Sequence, residues 1–297
     1  MFNTLKYYKL WFTVSGLILV FGIVSLAIYG LRLGIDFRGG SLTELQFSQP
    51  YDLTKVRDAL NSQNLGAYQL QTSSPTDLLI RTETLSQEQH VAMENAIQKD
   101  AGSFKEASFT SIGPVIGSEL KKDAIYQLVL VSLGIVIYIG YAFRRVSKPV
   151  TSWRFGWSAV IALFHDLLFV LGFFSILGHF LGVEIDSLFV TAMLTVLGFS
   201  VHDTIVVFDR IRENLKVYAG ESIEFVVNHS ISQTIVRSLN TSLTVLFVLL
   251  SLLLFGGASI HFFVLALFVG ILVGTYSSIF IASPVLVLWQ NWKTKKA

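Results

Sequence analysis

The sequence predicts an α-helical membrane protein of six spans with one small α+β domain outside the bilayer. Three observations predict it. Of 297 residues, 53% are hydrophobic and only 14% charged, against about 25% charged in a soluble chain. Six apolar segments reach the roughly 20 residues needed to cross the hydrocarbon core. Between the first and second lie roughly 90 polar residues, enough for one small domain. The chain therefore divides into 1–30 (a short leader into the first span), 31–123 (the outer domain) and 124–297 (five further spans).

The spans are placed at 10–30, 124–143, 153–178, 187–208, 235–257 and 262–289, the last with Pro284 near its end. Charge in the connections orients them. Lys6 and Lys9 precede the first span; Arg144, Arg145, Lys148 and Arg154 lie between the second and third. Arg210, Arg212 and Lys216 follow the fourth, and Lys293, Lys295 and Lys296 close the chain. The alternate connections, 181–186 and 256–261, contain no Lys or Arg. By the positive-inside rule both termini face the cytoplasm, and Trp11, Trp153, Trp157, Trp289 and Trp292 form an interfacial belt on that side. The first apolar run is too long for a signal h-region and lacks a small-x-small cleavage site, so it reads as an anchor.

The outer stretch reads as βαββαβ. Residues 41–47 alternate as a strand. Residues 52–61 form a helix with Leu53, Val56 and Leu60 on one face and Asp52 as N-cap. Strands at 68–72 and 77–82 flank a Ser73-Ser74-Pro75-Thr76 turn. A helix over 86–100 opens on a capping box, and 104–112 is the final strand. That order is the split βαβ arrangement of ferredoxin-like domains. No catalytic constellation is visible in it, and His90 has no evident partner. Docking, binding an extended chain at a sheet edge and transmitting movement all remain open for it. Gly113 to Gly117 reads as a hinge or a rigid exit turn, and Asp36 and Arg38 as fixing a turn with Gly39 and Gly40.

Several classes are excluded. There is no Cys, hence no disulfide or thiolate metal site. No G-x-x-x-x-G-K-[ST] loop provides an ATP site. The six His are scattered with no third ligand at helical spacing, so no metal site is expected. No glycine-flanked serine elbow supports a hydrolase. Neither enzyme activity, bound cofactor nor nucleic acid is expected.

The intramembrane charges carry the functional argument. An aspartate near the bilayer centre costs about 2.5–3.5 kcal/mol on insertion scales. The chain places His202-Asp203 in the fourth span and His165-Asp166 in the third. Asp203 reads as a proton carrier or as a static ion pair. Arg237, just inside the fifth span, falls at a similar depth and is the natural partner, with snorkelling to headgroups as the alternative. Asp166 reads equally as a second relay group or a structural hydrogen-bonding residue. His165 and His202 read as proton shuttles or as spectators, since helix neighbours point about 100° apart. Ser200, Thr204, Thr241 and Ser242 read as supporting polar groups or as packing residues. Residues 209–214 read as a helix lying along the membrane.

The segments LGIDFRGGS (33–41), IGPVIGSEL (112–120), GFSVHDTIVVFDRIREN (198–214), ISQTIVRSLNTS (231–242) and LFGG (254–257) occur in this order. Together they resemble the SecF family of the RND superfamily, over essentially the whole chain. The resemblance implies a half-RND bundle whose missing half is a separate SecD chain. It implies residence in the bacterial cytoplasmic (inner) membrane, with the SecYEG translocon and YajC as partners. It implies that the proton gradient drives late steps of protein translocation, with Asp203 and Arg237 as relay residues. His202 departs from the asparagine more common there in the family. A proton-coupled small-molecule exporter of the same superfamily and a static scaffold are the competing readings.

Overall fold

The computed structural model describes residues 4–63, 65–72, 74–144 and 150–294. Ser73 of the predicted turn, and Arg145, Lys148, Lys295 and Lys296 of the charge pattern, lie outside the described residues. The chain forms two compact units, one of residues 33–125 and one of 1–32 with 126–297.

In the smaller unit a short helix α2 (Ile35–Arg38) leads into β1 (Gly40–Phe47), α3 (Leu53–Ser62), β2 (Tyr68–Thr72), β3 (Asp77–Thr82), α4 (Gln87–Ala101) and β4 (Phe104–Ile112). The sheet is antiparallel with order β2-β3-β1-β4, the ferredoxin-like arrangement read from the sequence. Leu45, Phe47, Leu78 and Ile80 of the sheet meet Val56, Ala59 and Leu60 of α3 and Met93 and Ile97 of α4 in one core. Asp52 accepts from the Thr54 amide at 2.9 Å. Ser86 and Gln89 form the reciprocal capping box.

Gly39 and Gly40 have φ of +80° and +135°, values that side chains disfavour. A Cβ on Gly39 would stand 2.8 Å from Pro114 Cα, and one on Gly117 would stand 2.8 Å from the Gly39 amide nitrogen. The glycines therefore let two backbones touch. Residues 114–117 are helical rather than an exit turn: Pro114 opens α5 (Pro114–Ala142), where its missing N–H costs nothing.

The larger unit contains α1 (Tyr8–Tyr29), the rest of α5, α6 (Ser152–Leu181), α7 (Ser187–Val217), α8 (Ile223–Phe255), α9 (His261–Ser277) and α10 (Ser283–Thr294). The last two are joined by a π-helical turn, Ser278–Ala282. Among the described residues, six helices are long and apolar enough to cross a membrane, with α9 through α10 counting as one. The third, fourth and sixth are buried over half or more of their length, and the other three lie at the periphery. Pro284 lacks the N–H that would bond one turn back, and the π turn just before it absorbs the mismatch.

Two helices run further than hydropathy predicts. The 209–214 stretch does not lie along the membrane; it continues α7 without a break to Val217. Helix α8 starts at Ile223, twelve residues before the apolar run. These polar ends bind each other: Asn214 donates to Ser230 Oγ (2.8 Å) and Gln233 Oε1 (2.9 Å), and Thr4 donates to Asn228 Oδ1 (3.0 Å).

Close packing in the bundle rests on small residues. Gly22 of α1 faces Gly172 of α6, where a Cβ on Gly172 would stand 2.5 Å from Gly22 Cα. Gly270 and Gly274, one turn apart on α9, press against Val196 and Ser200 of α7, and a Cβ on Gly270 would meet a Val196 methyl at 2.3 Å. Gly270→Val should therefore destabilise the bundle by about 1–3 kcal/mol, the usual cost of overpacking. Thermal unfolding in detergent checks this, and adding Val196→Ala should recover much of the loss.

Candidate functional site

The four helices α6 to α9 enclose two carboxylates. Asp166, at the middle of α6, is fully buried. Its Oδ2 accepts from Ser200 Oγ of α7 at 2.5 Å and from Ser277 Oγ at the end of α9 at 2.7 Å. Its Oδ1 accepts from His165 Nδ1 at 2.9 Å. Three helices thus converge on one side chain. His165 is not turned away from its neighbour as the 100° rule implies; its ring folds back onto Asp166. Its Nε2 is buried and has no hydrogen-bond partner among the described residues.

Asp203 of α7 is also buried. Its position is one turn along α7 from Ser200, so one helix carries a contact to Asp166 and the second carboxylate. The groups acting on Asp203 are the hydroxyls of Ser238 (α8) and Thr275 (α9), together with His202. Asp203 Oδ2 and Ser238 Oγ are both buried, and neither has a partner in good hydrogen-bond geometry among the described residues. Thr275 pairs with Ser242 of α8 at 2.6 Å. Ser200, Ser238, Ser242, Thr275 and Ser277 therefore line a hydroxyl-rich seam that runs between the two carboxylates.

Arg237 does not reach this seam. The buried positions of α8 include Thr234, Ser238 and Ser242, four residues apart. Arg237 precedes Ser238 by one residue and so points about 100° away, onto the exposed face. Among the described residues it makes no ion pair with Asp203. The expected pairing is thus not made: Arg237 and Ser238 lie on different faces of α8. Gln233, Asn240, Thr241 and Thr244 share the exposed face. Thr241 bonds only the Arg237 carbonyl (3.0 Å). His202 is exposed on α7, and Thr204 is buried but bonds the Ser200 carbonyl (3.1 Å) rather than a carboxylate.

Ser277, Ser238 and Thr275 are absent from the sequence-based site, while Ser242, read there as supporting or packing, pairs with Thr275. The signal for them is present: hydroxyls every fourth residue at Thr234, Ser238 and Ser242, and a Gly274-to-Ser278 run of small and polar residues ahead of Pro284.

With this geometry in place, comparison with known proteins is decisive. Residues 92–292 match the model of the family "Protein export membrane protein SecD/SecF, C-terminal", and residues 24–50 match the SecD/SecF GG motif. The chain is 46% identical to the protein translocase subunit SecF of Thermobaculum terrenum, over 98% of this chain and 95% of that one. It is 39% identical to the SecF of Anaerolinea thermophila, with the same coverage. The chain belongs to the SecF family. Its fold is similar to that of the crystal structure of SecDF, a translocon-associated membrane protein, from Thermus thermophilus, with TM-score 0.84 and 33% identity over 98% of this chain. A SecDF structure in a super-membrane-facing form gives TM-score 0.71 and 30% identity over 99% of this chain. The chain spans 39% of the length of each SecDF chain. The GG motif is Gly39-Gly40, whose dihedrals explain it. The relatives are named as protein translocase subunits, a transport role.

A second group of titratable side chains lies in the ferredoxin-like domain. His90 and Glu94 project from one face of α4, and Glu106 from β4 approaches them. Burial first, and the adjacent Glu106 carboxylate second, push the Glu94 carboxyl up to about 7.

Two measurements test these assignments. Asp166→Asn keeps an acceptor for Ser200 and Ser277 and should largely preserve stability. Asp166→Leu strands buried donors and should cost about 1–3 kcal/mol, read as a lowered detergent Tm. Glu94 titrates near 4.3 in an unfolded chain and near 7 in the fold. The stability it contributes is complete below the unfolded value and is lost as pH rises through about 7. A Glu94→Gln protein should therefore gain on the parent progressively between pH 5 and pH 8, measured as the difference in Tm.

Proposed function

We propose that this chain is the SecF half of a SecDF accessory complex in the bacterial cytoplasmic membrane, with both termini on the cytoplasmic side. It uses the proton-motive force to promote late steps of polypeptide translocation through the SecYEG channel. SecD supplies the other half of the bundle, and YajC is an ancillary partner. The single observation that carries the proton reading is Asp203: a buried carboxylate with one oxygen unpartnered, beside an equally unpartnered Ser238 hydroxyl.

The chemistry follows from what each form of Asp203 needs. Protonated, its O–H donates to an oxygen such as that of Ser238. Ionised, it needs donors, and the hydroxyls of Ser238 and Thr275 rotate to supply them. Proton exchange thus reverses the hydrogen-bond direction between α7 and its neighbours α8 and α9. A charge moved through 100 mV of membrane potential is worth about 2.3 kcal/mol, comparable to the few hydrogen bonds being exchanged. Asp166 is the fixed end of the relay and Asp203 the variable end, with Ser200 between them. In this reading the exposed Arg237 faces the SecD half across the subunit boundary rather than Asp203.

Asp203→Asn tests the proposal. The variant should insert and co-purify with SecD, yet lose at least about tenfold in proton-gradient-dependent translocation into inverted membrane vesicles, a loss of the size typical of a missing proton-transfer group. Normal gradient-dependent translocation by this variant would overturn the proton role. Recovery of the chain as a stable homodimer, without SecD, would overturn the assignment as half of a SecDF bundle.

A further inference from the structure

We infer that the ferredoxin-like domain holds a divalent transition-metal ion of the zinc type between α4 and β4, ligated by His90, Glu94 and Glu106. The inference concerns a part of the chain that the proton relay does not use, and it stands apart from that reading.

Local structure builds the site. The chain places His90 and Glu94 four residues apart on α4, so both side chains leave one face of the helix. Glu106 comes from β4, the edge strand next to β1. Their ligand atoms all lie within 4.8 Å of one another. A tetrahedral ion with bonds of about 2.0–2.2 Å separates its ligand atoms by roughly 3.4 Å. The His90 Nε2 to Glu106 Oε2 distance is 3.2 Å, already that of a coordination edge. Rotation of the Glu94 carboxylate closes the rest.

The independent observation is the state of His90. It is 4% exposed, and neither ring nitrogen has a hydrogen-bond partner among the described residues. Nε2 is near the Glu106 oxygen but not aligned to donate to it. Buried polar atoms are nearly always satisfied, and an orphan requires a cause. Here the imidazole is held rigidly, with its face stacked on Phe109 of β4 (centroids 3.7 Å apart, planes at 17°). A fixed ring whose Nε2 has no hydrogen-bond partner, within 4.8 Å of two carboxylate oxygens, is what a cation needs.

The donor set selects the ion. One imidazole nitrogen and two carboxylates suit zinc and its first-row neighbours better than calcium or magnesium, which prefer oxygen shells of six or more ligands. Three protein ligands leave a fourth position for water, and Glu94 and Glu106 are half-exposed, which provides the path. The ion would staple α4 to β4, joining the second βαβ crossover to the edge of the sheet.

Tag-free full-length protein in detergent, stripped with chelator, is titrated with Zn²⁺ alone and separately with Co²⁺ alone. The expected result is one Zn²⁺ per chain at micromolar affinity or better, visible Co²⁺ absorption bands of low-symmetry coordination, and a raised Tm. Glu106→Gln and Glu94→Gln should each weaken Zn²⁺ at least tenfold while leaving the metal-free Tm at or above that of the parent, so that loss of folding is not the cause. Stoichiometry below one at 100 μM Zn²⁺, or affinity unchanged in both glutamine variants, overturns the site. An equally strong response to Mg²⁺ overturns the zinc assignment.

Discussion

The bundle depends on the Asp166 carboxylate. A carboxylate offers about four lone-pair sites, and three are filled here by groups from α6, α7 and α9. In a hydrocarbon environment no water replaces a lost donor, so α6, α7 and α9 hold one relative register. Gly270 and Gly274 reinforce that register by bringing the α9 backbone against α7 close enough for Ser277 to reach Asp166. The π turn that follows Ser277 belongs to the same arrangement, because it realigns the chain after the carboxylate contact and ahead of Pro284. Helix α8 is attached differently. Its polar contact with α9 is the hydroxyl pair Ser242–Thr275, and Ser238 is left unsatisfied beside Asp203. The core is therefore pinned by a carboxylate, while α8 is held to α7 by the Asn214 amide and to α9 by an exchangeable hydroxyl pair.

That difference gives meaning to the exposed face of α8. Arg237, Asn240, Thr241 and Thr244 form a polar stripe on a helix whose other exposed residues include Val236, Phe247 and Val248. A guanidinium facing lipid at depth carries an insertion penalty of about 2.5–3.5 kcal/mol. A second half of the bundle, as the proposed SecD partner provides, removes that penalty by covering the stripe. The same helix then presents Ser238 inward to Asp203 and Arg237 outward to the partner, with one residue between them. In the proposed SecDF bundle, a small rotation of α8 would alter both environments at once.

The sequence reveals most where polarity alternates with structure. The ferredoxin-like domain is legible because strands, caps and turns in water carry period-two patterning and signature residues: Asp52 and Ser86 cap as expected. Span count is legible because hydrocarbon thickness fixes length. Helix ends are not, because hydropathy marks where lipid begins rather than where backbone hydrogen bonding begins; α5, α7 and α8 all run past their apolar windows into water. Phase is the deepest gap. In spans that are apolar all round, no amphipathic period says which face is inward, so the face of α8 that Arg237 occupies was not legible. The 100° rule likewise fails for His165, because a long side chain adjacent to a carboxylate can fold back to it. The cluster at His90 needed the sheet register: Glu106 joins it only because β4 runs beside β1 and under α4.

Three acidic sites in one chain then differ in how completely they are satisfied, and this orders their roles. Asp166 has its donors and works as a structural node. Asp203 is buried with one oxygen lacking a hydrogen-bond partner among the described residues, and the proposed proton exchange acts there. Glu94 and Glu106 face each other in a half-open cleft beside a buried imidazole, where a doubly charged ion answers both carboxylates together. The proposed partners differ accordingly: a proton at the enclosed Asp203, and a hydrated cation at the half-exposed Glu94 and Glu106. A carboxylate whose donors are complete holds structure, and one whose donors are incomplete exchanges with whatever its surroundings let in.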